Sequence, residues 1–335
     1  MTAAMAKLSA TTPATVTVHP SQFPDAIQRQ LIESLRSGEV PPKFLYDSVR
    51  QTQKWLEVHQ AHSPSRTDLD VDQIYDAAID EALGQAQSEA VAWVGLGCGG
   101  GRKDTRGLAK LKPLIPVLHY VPCDVSQAMT LVARETAAAV VPLGQVHPLV
   151  CDLAKATDLG QVLDDMLPTL DKRVFTFFGM IPNFEPAIIL PRLAGLLRED
   201  DQLLFGANLA PGGDYRTGVE AVLPQYDNAE TRDWLLSFLI GIGVPETAGV
   251  LVFEIEEVDG LLRIVAEFKF AQPQTVPVSG EAVAFCAGQS LRLFYSYRHT
   301  EETLTKRLAE HGLRIVFSAI AACGEEGVFR VELAG

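Results

Sequence analysis

Between Val91 and Thr105 the chain reads V-A-W-V-G-L-G-C-G-G-G-R-K-D-T, a short apolar run followed by a cluster of glycines. Glycine lets a backbone turn pass close to a ligand because no Cβ stands in the way. One helix and one strand further on, Leu118-His-Tyr-Val-Pro-Cys-Asp124 ends in a carboxylate. A glycine-rich strand-to-helix turn, with an acid closing the next strand, cradles a nucleoside and accepts hydrogen bonds from both ribose hydroxyls. A second acid, in Cys151-Asp152-Leu153, closes the following strand, where a carboxylate meets the exocyclic amine of an adenine.

The glycine spacing bears on which nucleoside is bound. A dinucleotide fingerprint is G-x-G-x-x-G opening a helix directly. Here Gly95, Gly97 and Gly99 give G-x-G-x-G, a spacing more typical of S-adenosylmethionine sites. A nicotinamide oxidoreductase is therefore the least favoured enzyme. Two plainer readings stand beside this one. The glycines could be turn chemistry alone, and Asp124 or Asp152 could cap the helix that follows it. The three features in order, at strand-helix-strand spacing, favour the cofactor.

These residues need a parallel sheet to hold them. Apolar runs predict strands near 90–95, 116–121, 147–151, 173–178 and 202–208, with helices between, which is the alternation of a doubly wound sheet covered on both faces. Ahead of it, helical periodicity marks 24–37, stopping at Gly38, then 44–58 and 70–86. After Asn208 the alternation fails. A helix over 229–242, antiparallel strands over 249–255 and 261–270 about a turn at 258–260, and a strand near 289–297 describe a different unit. A helix over 300–311 and a hairpin of 313–318 with 327–333 close the chain, as the reversed last strand of such a sheet would. The expected fold is α/β, a doubly wound Rossmann-like sheet with a smaller α+β lobe. Residues 1–18 form a mobile tail, 19–67 and 209–298 the substrate lobe, and 68–208 with 299–335 the cofactor domain.

Composition narrows the partners. A net charge of −14 in 335 residues argues against binding a nucleic-acid backbone or an anionic membrane surface. No apolar run is long enough to span a bilayer, and no secretory signal opens the chain, so a cytoplasmic protein is expected. The five cysteines are scattered, without a C-x-x-C or Cys/His cluster, so no metal site is expected. Cys98, Cys123 and Cys151 fall at strand ends and read as small buried hydrophobes.

Several segments together resemble the histidine-specific N-methyltransferases of ergothioneine biosynthesis and their relatives, among them fungal enzymes methylating tryptophan derivatives. Pro42-Lys-Phe-Leu-Tyr-Asp47 is similar to that family's P-K-x-x-Y-D, and His62-Ser-Pro-Ser-Arg-Thr-Asp68 to its Y-Y-P-T-R-x-E. Tyr120-Val-Pro-Cys-Asp-Val-Ser126 matches Y-V-P-x-D-V-S almost letter for letter. Phe177-Phe-Gly-Met-Ile-Pro-Asn183, Leu203 to Leu209, Tyr226-Asp227 and Ser296-Tyr-Arg-His-Thr-Glu-Glu302 resemble four further motifs, so the likeness runs from about residue 40 to 315. It implies a class I methyltransferase fold and S-adenosylmethionine as cofactor, held by Gly97, Lys103, Asp124 and Asp152 with Arg66 and Thr67 nearby. It also implies a small amino-acid-like substrate clamped by Asn183, Tyr226 and Tyr46.

The departures are informative. Gly95 stands where the family opens its glycine motif with an acid, His62 where it has the first Tyr of Y-Y-P, and Asn208 where it has Asp. The Glu and Ser that grip an imidazole become Phe294 and Ser296. An imidazole N–H facing a phenyl ring instead of a carboxylate forfeits about 1–3 kcal/mol. The expected reaction is therefore N-methylation at the α-amine of an aromatic or apolar amino acid or derivative. Histidine methylation and a catalytically silent S-adenosylmethionine-binding protein are the alternatives. Loss of a proton from the ammonium must precede transfer, and His62, or Tyr46 through water, is the candidate acceptor.

Overall fold

A computed structural model describes residues 14–46, 48–62, 69–84, 88–168, 170 and 172–335. Its main sheet holds β1 (Thr17–Val18), β2 (Ala90–Leu96), β3 (Val117–Asp124), β4 (Leu149–Val150), β5 (Lys172–Phe177) and β6 (Gln202–Asn208). Between β7 (Gly249–Val258) and β8 (Leu261–Phe270), and between β9 (Gln274–Val278) and β10 (Glu281–Phe285), the pairing is antiparallel. β11 (Ser290–Arg298) joins β8, while β12 (Leu313–Ile320) and β13 (Glu326–Leu333) return to the main sheet. The order there is β1-β4-β3-β2-β5-β6-β13-β12, parallel throughout except for the last two strands.

Among the described residues the helices are α1 (Pro24–Ser37), α2 (Val49–His62), α3 (Leu69–Gly84), α4 (Arg102–Leu111), α5 (Gln127–Ala137), α6 (Leu159–Met166), α7 (Pro186–Leu196), α8 (Tyr215–Val222), α9 (Ala229–Gly241) and α10 (Glu301–Ala309). Alternation along β2 divides its side chains between two cores. Val91 and Trp93 pack with α3, α4 and α5, whereas Ala92, Val94 and Leu96 pack with α6, α7 and α10. That two-sided burial explains why these strands read as nearly continuous apolar runs. A separate core joins α1, the 3₁₀ turn Pro42–Leu45 and α9 to one face of the β11-β8-β7 sheet and to the β9–β10 hairpin.

The doubly wound sheet with its reversed final strand is as expected, and the turn expected at 258–260 lies between β7 and β8, narrowed to Asp259 and Gly260 because Val258 still belongs to β7. Asp259 and Gly260 there both have positive φ, 50° and 75°, as a tight hairpin requires. Four details differ. Thr17–Val18 are not tail but an edge strand, held parallel to β4. The second helix begins at Val49 rather than 44 and runs past 58 to end at His62. The β9–β10 hairpin and α8 have no counterpart in the sequence reading. Among the described residues no helix is long and apolar enough to cross a membrane.

Candidate active site

A cavity of about 620 Å³ opens at the carboxyl ends of β2, β3 and β5, where ligands of doubly wound sheets bind. Its wall brings together Tyr46, His62, Gly97, Gly99, Lys103, Asp124, Asp152, Asn183, Tyr226, Phe294 and Ser296 from across 250 residues of sequence (Tyr46 to Ser296). Arg66 and Thr67 lie outside the described residues.

Asp124 is fixed by the turn it faces. Its Oδ2 accepts the Gly99 N–H at 3.0 Å and its Oδ1 the Ser126 N–H at 2.9 Å. Burial pushes its pKa up and these backbone N–H groups draw it back. Helix α5 is capped by Ser126, whose Oγ accepts the Met129 N–H at 3.4 Å, so Asp124 is not the cap. Nor is Asp152, because α6 begins after Asp158. One Asp152 oxygen accepts the Ala154 N–H at 2.9 Å, and the other lies 3.1 Å from Lys43 Nζ. Both members of that ion pair are buried, and it ties the 3₁₀ turn Pro42–Leu45 to the end of β4. Lys103 Nζ sits 3.8 Å from the Tyr75 ring centre and 3.7 Å from Glu326 Oε1. Burial lowers its pKa against the pull of Glu326.

Gly95, expected to touch the cofactor, does not line the cavity. A Cβ there would overlap Asp104 Oδ2 and come within 3.2 Å of Cys98 Cβ. Asp104, in the first turn of α4, accepts from Trp93 Nε1 at 3.0 Å, Thr176 Oγ1 at 2.7 Å and Tyr120 OH at 2.9 Å. A carboxylate thus occupies the space beside Gly95 after all, delivered from the helix rather than the strand. Gly97 has φ +70°, and a Cβ there would overlap the Met180 thioether.

The other half of the cavity is aromatic. Tyr46 meets Trp55 at 5.5 Å and Trp234 at 5.6 Å, Trp234 meets Phe294 at 5.9 Å, and Phe294 meets Tyr226 at 6.0 Å, all between ring centres. Tyr226 OH is 2.9 Å from Ser296 Oγ and accepts from Arg298 Nη2 at 2.9 Å. Asn183, ending the 3₁₀ turn after β5, donates from Nδ2 to the Tyr295 carbonyl at 2.6 Å. A register shift at Leu293 turns Phe294 toward the same core as Leu291 and Leu293. Phe294 and Ser296 therefore face the cavity, while the Tyr295 and Tyr297 rings pack with Leu261 and Val265.

The two candidate proton acceptors differ. Burial, and secondarily the charge of Asp124, raises the Tyr46 pKa, so its phenol stays protonated. His62 stands at the rim with Nε2 3.3 Å from Glu230 Oε2, leaving Nδ1 as the nitrogen able to take a proton. The sequence reading missed Lys43, Asp104, Arg298, Glu326 and the two tryptophans of the wall. Arg298 was within reach, since it continues the alternation of Phe294 and Ser296 along one strand.

The donors and acceptors suit S-adenosylmethionine: a strand-end carboxylate braced by the glycine turn, a second carboxylate beyond the next strand, and open space over Gly99. Sheet and site define an S-adenosylmethionine-dependent methyltransferase of the doubly wound class. The model of the family described as histidine-specific, S-adenosylmethionine-dependent methyltransferase matches residues 26–232, more than half of the chain, and the chain belongs to that family. No curated protein matches the sequence. Similar solved structures include an S-adenosylmethionine-dependent methyltransferase from Clostridium acetobutylicum ATCC 824, 15% identical, covering 84% of this chain and 99% of that one, with a TM-score of 0.45. Another is 1,6-didemethyltoxoflavin-N1-methyltransferase from Burkholderia thailandensis, 12% identical over 85% of this chain and 89% of that one, TM-score 0.42.

Proposed function

We propose that this enzyme methylates the α-amine of a small amino acid or derivative whose side chain is aromatic or apolar. The observation that carries the reading is Phe294, 6% exposed, packed between Tyr226 and Trp234 in the wall of the acceptor half. The resemblance puts an imidazole-binding carboxylate at that position. A phenyl ring offers an N–H no acceptor and offers an apolar side chain a matching surface. In this reading 19–67 and 209–298 form the substrate lobe over the cofactor domain.

Each residue then has a task. Asp124 and Asp152 hold the ribose and the adenine amine, and the glycine turn admits the rest of the cofactor. When bound, S-adenosylmethionine supplies an electrophilic methyl group for in-line displacement. Asn183 commits one of its two Nδ2 protons to the Tyr295 carbonyl, which fixes the amide, and its Oδ1 is an acceptor suited to an amine N–H. Tyr46, kept neutral, serves as a donor and a wall. His62 Nδ1 takes the proton that the ammonium must lose. The protein's main contribution is alignment of a neutral amine with the methyl group.

The test is methyl transfer from labelled S-adenosylmethionine across the twenty amino acids, with products resolved by mass. Transfer to an aromatic or aliphatic amino acid at least about tenfold better than to histidine is expected. Histidine as the best acceptor would reject the reading of Phe294, and transfer to none of them would reject the α-amine.

A further inference from the structure

β1 pairs with β4 at two positions, Thr17 against Leu149 and Val18 against Val150, and the His19 N–H then donates to the Val150 carbonyl at 2.9 Å. One more step of a parallel ladder would bring the His19 carbonyl to the Asp152 N–H. The segment turns away instead. That carbonyl accepts the Gln22 N–H at 2.8 Å, in the 3₁₀ turn Pro20–Gln22. A side chain takes its place: the Asp152 N–H donates to Ser21 Oγ at 3.1 Å.

His19 aims that hydroxyl. Its Nδ1 accepts the Ser21 N–H at 3.1 Å and lies 2.8 Å from Ser21 Oγ, so it accepts the hydroxyl proton as well. These partners put the ring proton on Nε2, which donates to Asp158 Oδ1 at 2.8 Å. The donors therefore point one way, from Asp152 N–H to Ser21, from Ser21 to His19, and from His19 to the carboxylate just ahead of α6. His19 is 6% exposed, and a buried chain of bonds with every member satisfied is rigid.

Asp152 has need of such a support. β4 ends at Val150, two residues before it. The Asp152 carbonyl accepts the N–H groups of Lys155 and Ala156, both in its own turn, so the bond to Ser21 is what ties its main chain to another segment. Asp124 is held otherwise, by Gly99 and Ser126, and owes nothing to residues 17–22. Those residues also lie ahead of every motif that carries the family likeness.

We infer that Ser21, aimed by His19, is a positioning residue for Asp152, and that the segment 17–22 thereby sets how strictly the enzyme demands adenine in its cofactor. The inference rests on the reading that Asp152 takes the exocyclic amine of the adenine. A fixed carboxylate accepts from an amino group and repels a carbonyl oxygen put in its place, so hypoxanthine is refused. If the end of β4 is free to shift, the carboxylate retreats from that oxygen and the refusal weakens. The ribose, read by Asp124 on the neighbouring strand, is recognised as before.

The experiment titrates the protein by calorimetry with S-adenosylhomocysteine, S-inosylhomocysteine and the 2′-deoxyribose form of S-adenosylhomocysteine. The wild type is expected to bind the inosyl compound at least about 30-fold more weakly than the adenosyl one. In Ser21→Ala this preference falls about tenfold, while the preference for ribose over deoxyribose stays within about twofold, a split that a merely structural role would not give. Ser21→Thr keeps the hydroxyl and retains both preferences. A wild type indifferent to the base, or a preference that survives in Asp152→Ala, would reject the reading of Asp152 and the inference with it. A preference lost in Asp152→Ala but undiminished in Ser21→Ala would overturn the inference alone. So would an equal fall of both preferences in Ser21→Ala, which is general loosening, or a fall in Ser21→Thr as large as in Ser21→Ala, which is an effect of volume. Should Ser21→Ala fail to fold, His19→Leu leaves the Ser21 hydroxyl without its acceptor and is expected to cut the adenine preference at least about threefold. An unchanged preference there also overturns it.

Discussion

Replacing Phe294 by Glu tests the acceptor pocket most directly. Phe294 is almost fully buried between two rings, so its loss removes both ring contacts. Truncation of a buried Phe costs about 3–5 kcal/mol, and a site bordering a cavity lies at the low end because one side of the ring is already unpacked. The methylenes of Glu recover part of this. Its carboxylate emerges on the strand face shared with Ser296, opposite a space that an imidazole N–H can enter. A charge-assisted hydrogen bond there adds about 1.5–3 kcal/mol for histidine and nothing for phenylalanine, a shift of roughly 10- to 150-fold in their affinity ratio. Calorimetric titration of the S-adenosylhomocysteine-loaded variant with each amino acid measures the ratio, and a thermal melt confirms the fold. If the variant is folded and the ratio moves less than about threefold, the argument from Phe294 fails.

Three further outcomes are expected. Asp124→Ala removes the carboxylate braced by Gly99 and Ser126 and should weaken S-adenosylhomocysteine binding about 100-fold by calorimetry, while Asp152→Ala should act in the same direction. Gly95→Ala forces Asp104 from its place and strips acceptors from Trp93, Tyr120 and Thr176, lowering Tm by about 5 °C or more; an unchanged Tm would mean that the carboxylate has room to move. His299, 1% exposed with neither ring nitrogen partnered, has its pKa lowered to about 4 by burial and then by the charge of Arg307. Its folded pKa lies below the unfolded value, so the unfolded chain takes the proton first. The stability it contributes is complete above about pH 6.5 and is lost as pH falls toward 4, on the order of 3 kcal/mol in all. Urea unfolding of His299→Leu should show a flatter acid limb across that window than the wild type, and identical limbs would refute the assignment.

The sheet was legible because its strands are buried on both faces, which writes a dense apolar run into the sequence for each of β2, β3, β5 and β6. What escaped has physical causes. Thr17–Val18 is two residues long, too short for any period, and exists as a strand only because β4 offers it an edge. The β9–β10 hairpin alternates exposed and buried residues around Pro277, and a proline inside a run argues against a strand. The shift at Leu293 flips the alternation of β11, so which of Phe294 and Tyr295 faces the cavity could not be read from spacing alone. That Asp124 ends its strand beside the glycine turn was legible because the apolar run of β3 stops there. Asp104 looked like an ordinary first-turn helix acid, and only the packing of Gly95 shows where its carboxylate goes. Lys43, and the partners of Arg298 though not its place on the strand, depend on contacts between segments more than 80 residues apart (Lys43 with Asp152, Arg298 with Leu209), which local pattern does not encode.

The bond from Asn183 to the Tyr295 carbonyl has a consequence for how such an enzyme changes its diet. Its acceptor is main chain, present whatever side chain occupies position 295, so the amide keeps its aim while neighbouring side chains are exchanged. In the function proposed above, alignment of the reacting nitrogen and choice of the molecule that carries it are thereby written in separate letters, one in backbone, the other in the residues at 294 and 296. In that reading a substitution at those two positions opens the pocket to a new class of acceptor in a single step, without first dismantling the alignment that methyl transfer requires.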